Sequence, residues 1–300
     1  FSKAHSASFA VESYQSLYLK TYFPLEFMVA VINNFGGFYQ TWVYYNEARR
    51  YGAHIELPCI NKSNYLTLVQ GDTIAMGFVH IAGLEQQVIN QVLTERTQNG
   101  PYTGLHNFTE RVKPPLEQLI ILIRTGALRF TGLSKQQLLW EAHMLTKKQQ
   151  TVPATALFTQ AVRTFSLPQL VHDPLEDSYD EIELLDFPVS MTYFDMLQTS
   201  FRGGIMSHGL NSYLGSTVKM LGLLVTIKYV RTIKNEIMHF ATFFDAEGEY
   251  FDTVHFPDVS KAYPFRGRGI YLIRGKVVEE IGFYSLEVEK MAKLPFKPDP

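Results

Sequence analysis

The sequence predicts a multi-domain α+β protein: an N-terminal all-helical region with a small β annex, then a five-stranded β-barrel near the C-terminal end. Three observations predict it. Apolar residues recur at helical spacing through the first 150 residues, the hydrophobic period switches to two from Ser216, and an acidic stretch separates the two patterns. At 300 residues the chain is longer than one core usually grows, and 46% hydrophobic residues suffice for more than one.

Phe1–Asn33 reads as helix broken at Pro24, with Phe9, Tyr14, Leu17 and Tyr18 among its apolar positions. Trp42–Tyr51 continues helical and stops at Gly52. HIELPCI, Tyr65–Val69 and Thr73–Val79 read as short strands, with Gln70-Gly71-Asp72 as a hairpin turn. IAGLEQQVINQVLTER (81–96) then reads as the end of a short helix, a tight turn at Gly83 and a second helix. Glycine suits the turn because a residue without Cβ reverses the chain cheaply. Amides at such a turn and at the following helix start are unpaired and attract anions, a nucleic-acid phosphate among them. LHNFTERV, LEQLIILIRTGAL after Pro115, and KQQLLWEAHML capped by Ser134 complete the helices.

Residues 151–215 read as an acidic connector, with RGGIMSHG (202–209) as a loop. Five strands follow: Val218–Tyr229 with Gly222 inside it, Ile237–Phe244, Glu249–Phe256, Gly269–Glu279 and Phe283–Lys290. PDVSKAYPF makes a short helix after the third. That order, with an early glycine letting the first strand serve both halves of a closed sheet, is the one expected of an OB barrel.

The net charge of −2 is unevenly spread: +3 over residues 1–150, −6 over 151–215 and +1 over 216–294. A local basic face is compatible with that total. Lys228, Arg231 and Lys234 cluster at the first barrel hairpin, with Tyr229 and His239 close in sequence. Basic side chains track phosphate while aromatic faces accept stacked bases, which suits a single strand. No HExxH, GxxxxGK[ST], GxSxG or GxGxxG is present, and the nine histidines lack ligand spacing. The expectation is a catalytically silent polypeptide without catalytic residues, metal site or cofactor. No apolar run reaches bilayer-spanning length, and no signal-peptide pattern follows Phe1, so a membrane is not expected as a partner. A start at Phe1 suggests a fragment of a longer protein, and Cys59 as the sole cysteine fits a reducing, cytoplasmic setting.

Taken in order, these motifs resemble the C-terminal part of the bacterial DNA polymerase III alpha subunits, the C-family replicative polymerases. FSKAHSASFAVESYQSLYLKTYFPLEFM resembles the end of the family's fingers, and GFVHIAGLEQQVINQVLTER, GPYTGLHNFTERV and LIILIRTGAL resemble its helix-hairpin-helix domain. ELLDFPVS resembles the connector before its OB domain, and GLLVTIKYVRTIKNEIMHFATFFDAEGEYFDTVHFPDV resembles the OB domain itself. The resemblance implies domains at 1–58 (fingers), 59–150 (helix-hairpin-helix), 151–215 (connector), 216–294 (OB) and a tail at 295–300. It implies a parent that is a DNA-directed DNA polymerase of the bacterial cytoplasm, whose Mg²⁺-binding palm lies outside this chain.

Residue by residue, the resemblance places Lys3, His5 and Ser6 near incoming nucleotide or template. It places Gly83, Leu84, Gln86 and Arg96 on duplex DNA, and Lys228, Tyr229, Arg231, Lys234 and His239 on single-stranded template. ATALF falls where the family carries a sliding-clamp peptide; Leu157 and Phe158 match it, Ala154 replaces its glutamine, and an ordinary apolar anchor is the alternative. Family hairpins read Gly-hydrophobic-Gly, whereas this one reads Gly83-Leu84-Glu85, and a carboxylate repels phosphate. A rival reading follows from that departure: a protein-interaction module of the replisome with little DNA affinity of its own.

Overall fold

The computed structural model describes residues 2–151 and 172–300. The chain divides into two compact units, one drawing on Phe1–Gly37, Glu47–Ser190 and Asp299–Pro300, the other on Phe38–Asn46 and Met191–Pro298.

The first unit begins with α1 (Lys3–Tyr22), which buries no residue, and α2 (Pro24–Asn33), which starts on its proline and buries Met28, Val29 and Ile32. Helix α3 (Thr41–Arg50) gives this unit its last four residues. Three short strands follow: β1 (His54–Glu56), β2 (Leu68–Gln70) and β3 (Thr73–Ala75). β3 lies centrally, parallel to β1 and antiparallel to β2 across the Gly71 turn. The Asn33 side chain fixes the approach to β2 by donating to the Thr67 carbonyl and accepting from the Thr67 amide, both at 2.8 Å. Gly77 has no freedom to change: a Cβ there would stand 2.4 Å from the Leu66 carbonyl carbon.

The helices α4 (Gln86–Asn99), α5 (Leu105–Val112), α6 (Leu116–Arg124) and α7 (Lys135–Thr151) pack together, α4 burying Val88, Ile89 and Val92 and its neighbour α5 burying Leu105, Phe108 and Val112. α7 starts on a reciprocal cap, its Gln137 amide donating to Ser134 Oγ and Gln137 Oε1 accepting from the Ser134 amide. Part of the stretch read as a connector is regular. Pro174–Leu185 forms α8, with Asp173 as N-cap and Glu176 and Asp177 in its first turn. Its acidic residues look solvated in sequence, but Lys135 of α7 donates to Asp180 at 2.6 Å and lies 2.9 Å from Asp177. Arg124 of α6 reaches Asp180 and Glu183. Burial alone would lower the Lys135 pKa, but the hydrogen bonds to Asp180 and Asp177 outweigh it and raise it.

The second unit is a closed barrel in the order β4-β5-β6-β8-β7. Its strands are β4 (Thr217–Arg231), β5 (Ile237–Phe244), β6 (Tyr250–His255), β7 (Ile270–Glu280) and β8 (Phe283–Lys293), with α9 (Pro257–Ala262) after the third. Every pairing is antiparallel except β6 with β8. Leu223 pairs with Phe244 on one side and Ile270 on the other, so β4 serves both halves of the sheet. Its neighbour Gly222 makes room for this, since a Cβ would meet Phe251 and Phe243 at 2.7 and 2.8 Å. Phe243, Phe251, Tyr271 and Ile273 fill the interior. The fold is the predicted one: a helical region with a β annex, then a five-stranded OB barrel.

Candidate nucleic-acid interface

The element before Gly83 is a three-residue 3₁₀ turn, Phe78–His80, rather than a short α-helix. Gly83 itself has φ +75°, a conformation that suits glycine. Most amides of the turn are satisfied within the unit. Ala82 donates to the Leu184 carbonyl (2.8 Å), Leu84 to Ile81 (3.4 Å) and Glu85 to Gln118 Oε1 (2.8 Å), while Gln118 Nε2 donates to the Gly83 carbonyl. The first helical bond runs from the Ile89 amide to the Glu85 carbonyl. The amides of Gln86, Gln87 and Val88 therefore precede it and have no acceptor within the helix. What remains for an anion is the start of α4, with exposed Gln86 at its mouth and exposed Glu85 as N-cap. The sequence reading left the whole turn open; the Gln118 clamp closes much of it.

Arg96 requires a correction. Its guanidinium donates to the Ile60 and Ser63 carbonyls at 2.9 and 2.8 Å and to Asn64 Oδ1 at 2.9 Å, and burial lowers its pKa from the usual range. It braces α4 against the 60–64 loop, its donors committed to the fold rather than left free for a duplex phosphate, because carbonyls at a loop attract a five-donor fork. Arg111 is committed in the same way, to the Glu95 and Gly100 carbonyls at 2.7 and 2.9 Å.

The barrel cluster divides. Successive strand residues face opposite sides, and the register pairs Lys228 with Phe240 and Tyr229 with His239. Lys228 and Phe240 lie on the outer face, both exposed. His239 points inward, 8% exposed, with edge-on contacts to Tyr229 (4.8 Å) and Phe265 (5.6 Å), and burial lowers its pKa. It is an interior histidine and no partner for a template, which corrects the sequence reading. Exposed Tyr229 packs on that ring. Arg231 is exposed and held by a 2.7 Å bond to Asn235 Oδ1, and Lys234 is exposed on the turn. Phe240 was missed; its signal was the alternation itself, out of phase with inward Ala241 and Phe243.

Lys3, His5 and Ser6 open α1; His5 and Ser6 make local contacts, to the Phe9 ring and the Ser2 carbonyl. Leu157 and Phe158, the clamp-peptide candidates, lie outside the described residues. Among the described residues no group of three or more His, Cys, Asp or Glu could hold a metal ion, and no helix is long and apolar enough to cross a membrane.

Residues 52–138 match a family model described as a helix-hairpin-helix motif. Among curated proteins, the chain is 31% identical over 145 residues to an error-prone DNA polymerase of Mycobacterium bovis, covering 47% of this chain and 13% of that protein. It is 35% identical over 140 residues to a DNA polymerase III subunit alpha of Xylella fastidiosa (45% and 12%) and 33% identical over 143 residues to that of Treponema pallidum (46% and 12%). The chain thus spans about one eighth of the length of these relatives. It matches a helix-hairpin-helix model ahead of a five-stranded barrel and is similar, over nearly half its length, to DNA polymerase III alpha subunits and error-prone DNA polymerases.

Proposed function

We propose that this chain is a non-catalytic, DNA-handling region of a bacterial DNA polymerase. The parent is then a nucleotidyltransferase whose catalytic carboxylates and Mg²⁺ are supplied by other residues. The observation that carries the reading is similarity to DNA polymerases in a chain that also matches a helix-hairpin-helix model. The barrel makes the stronger contact. Lys228, Arg231 and Lys234 offer positive charge beside exposed Phe240, a phosphate track next to a stacking face for a single strand. The hairpin makes the weaker one: the amides of Gln86–Val88 can meet one duplex phosphate, with Glu85 opposing it.

Titrating labelled single-stranded and duplex DNA at two salt concentrations tests this. The expected result is single-strand binding that weakens steeply with salt, and duplex binding weaker still. Absence of any binding at low salt would overturn it. A sliding-clamp contact through Leu157 and Phe158 is a separate part of the proposal. A pull-down in which Phe158→Ala retains the clamp as well as wild type would remove that part.

A further inference from the structure

The barrel ends in two exposed hairpin turns of opposite character. In the β4–β5 turn the residue at positive φ is Asn235 (+61°), a type that tolerates it, and the stretch 226–235 holds three basic residues and no acidic one. In the β7–β8 turn, closed by the Glu280–Phe283 pair, both central residues have positive φ: Ile281 (+53°) and Gly282 (+81°). Asn-Gly is the favoured sequence for such a turn. A β-branched side chain there is a backbone outlier, so the fold would be better served by almost any small or amide residue. Burial does not explain the isoleucine, which is 91% exposed beside Phe283 at 78%. Farther down the hairpin the acidic residues are matched, Glu289 by Arg274 at 3.1 Å and Glu287 by cross-strand Lys276, but the tip carries Glu279 and Glu280 with no basic residue between 277 and 285. Glu279 and Glu280 stand at the tip itself, exposed.

We propose that the β7–β8 turn is an apolar plug that docks into a protein partner, with Ile281 and Phe283 entering an apolar pocket whose rim carries lysine or arginine. Charge selects the partner class. A DNA wedge would bring these carboxylates against phosphates, whereas a basic-rimmed protein pocket complements them. The strained isoleucine is retained because docking needs its side chain, at the expense of the isolated barrel. This site is independent of the DNA-handling reading, which concerns the β4–β5 turn and the hairpin.

Two measurements test it. A photo-crosslinking benzophenone residue replaces Phe283 in the full-length protein in its host cell, and crosslinked species are mapped by mass spectrometry. The expected product is a protein whose crosslinked segment is apolar and flanked by Lys or Arg. Its yield is expected to fall at least about fivefold with Glu279→Lys plus Glu280→Lys, and to fall also with Ile281→Gly. In the purified chain, Ile281→Gly is expected to raise the thermal midpoint of the barrel. A crosslink to DNA, no intermolecular crosslink, or a yield indifferent to charge reversal would overturn the proposal. A lowered midpoint for Ile281→Gly would overturn it too, because the isoleucine would then serve the fold. The same crosslinker at Ile233 reports on the basic turn, where DNA is expected, so the two readings fail separately.

Discussion

The helical unit and the barrel handle positive charge in opposite ways. In the helical unit Arg96, Arg111, Arg124, Arg129 and Lys135 all reach inward or across, to backbone carbonyls or to the carboxylates of α8. In the barrel the interior is apolar, aliphatic side chains around Phe243, Phe251 and Tyr271, with the buried histidines His239 and His255, and Lys228, Arg231 and Lys234 stand on the outside. Short helices leave carbonyls unsatisfied at every end, and arginines are suited to meeting them. A closed sheet satisfies its own backbone, so its cations stay at the surface, some of them on side-chain partners there, as Arg231 on Asn235 and Arg274 on Glu289. Basic residues therefore serve cohesion in the helical unit and, on the function proposed above, recognition in the barrel.

The sharpest way to break that contrast is to remove a carboxylate from the helical unit. Asp180→Ala leaves Lys135, only 6% exposed, and Arg124 without their shared partner. Lys135 keeps Asp177 and Arg124 keeps Glu183, so the loss falls below that of a fully orphaned buried charge, about 2 kcal/mol, to be read as a lowered denaturation midpoint of the helical unit. Lys228→Ala in the barrel should change stability by no more than about 0.5 kcal/mol. Equal effects would erase the distinction.

The barrel's own weakness should appear in acid. His255 is fully buried, its Nε2 2.9 Å from Thr253 Oγ1, and burial, with a smaller push from cross-strand His239, lowers its pKa to about 4. In the unfolded chain the same imidazole has a pKa of about 6.5. The unfolded state thus binds the extra proton first as pH falls, so stability is full above about 6.5 and is lost progressively down to about 4, by about 3 kcal/mol. His80 in the helical unit is also pushed to about 4 by burial, so a barrel-specific probe is required. His255→Gln should flatten the barrel's pH dependence in that window; an unchanged slope would place the titration elsewhere.

This contrast also marks how far the sequence could be read. Period, turn glycines and caps made the five strands, the Gly71 and Gly83 turns and the Ser134 cap legible, because each is a local demand of the backbone. Direction was not legible. Arg96 and His239 have the residue types of a nucleic-acid site, yet only tertiary packing decides that one faces carbonyls and the other the barrel interior. Helix α8 was hidden for a related reason: its carboxylates resemble a solvated run until Lys135 and Arg124 are placed opposite them.

On the recognition side, Lys228→Ala with Lys234→Ala should weaken single-strand binding roughly tenfold at low salt. It should also reduce the magnitude of the log–log salt slope by about 1.4, since each lost phosphate contact removes about 0.7. Arg96→Ala should leave that slope unchanged while lowering stability, because its three bonds are internal. If the slope instead moves with Arg96 and not with the lysines, the assignment of roles to the two units is reversed.

The smallest effect lies at the hairpin, where the two uses of charge meet in one residue. Glu85 caps α4 with its backbone in extended geometry (φ −71°, ψ 136°) and makes no side-chain cap bond, so its carboxylate acts only through the field. A negative charge at that position stabilises a helix by about 0.3–1 kcal/mol and opposes any phosphate seeking the same amides. Glu85→Gln should therefore cost the helical unit about 0.5 kcal/mol while raising duplex affinity about two- to threefold, an inverse pairing visible in parallel melting and titration. If stability falls and duplex binding stays flat, the start of α4 is not a phosphate site, and DNA contact by this chain belongs to the barrel alone.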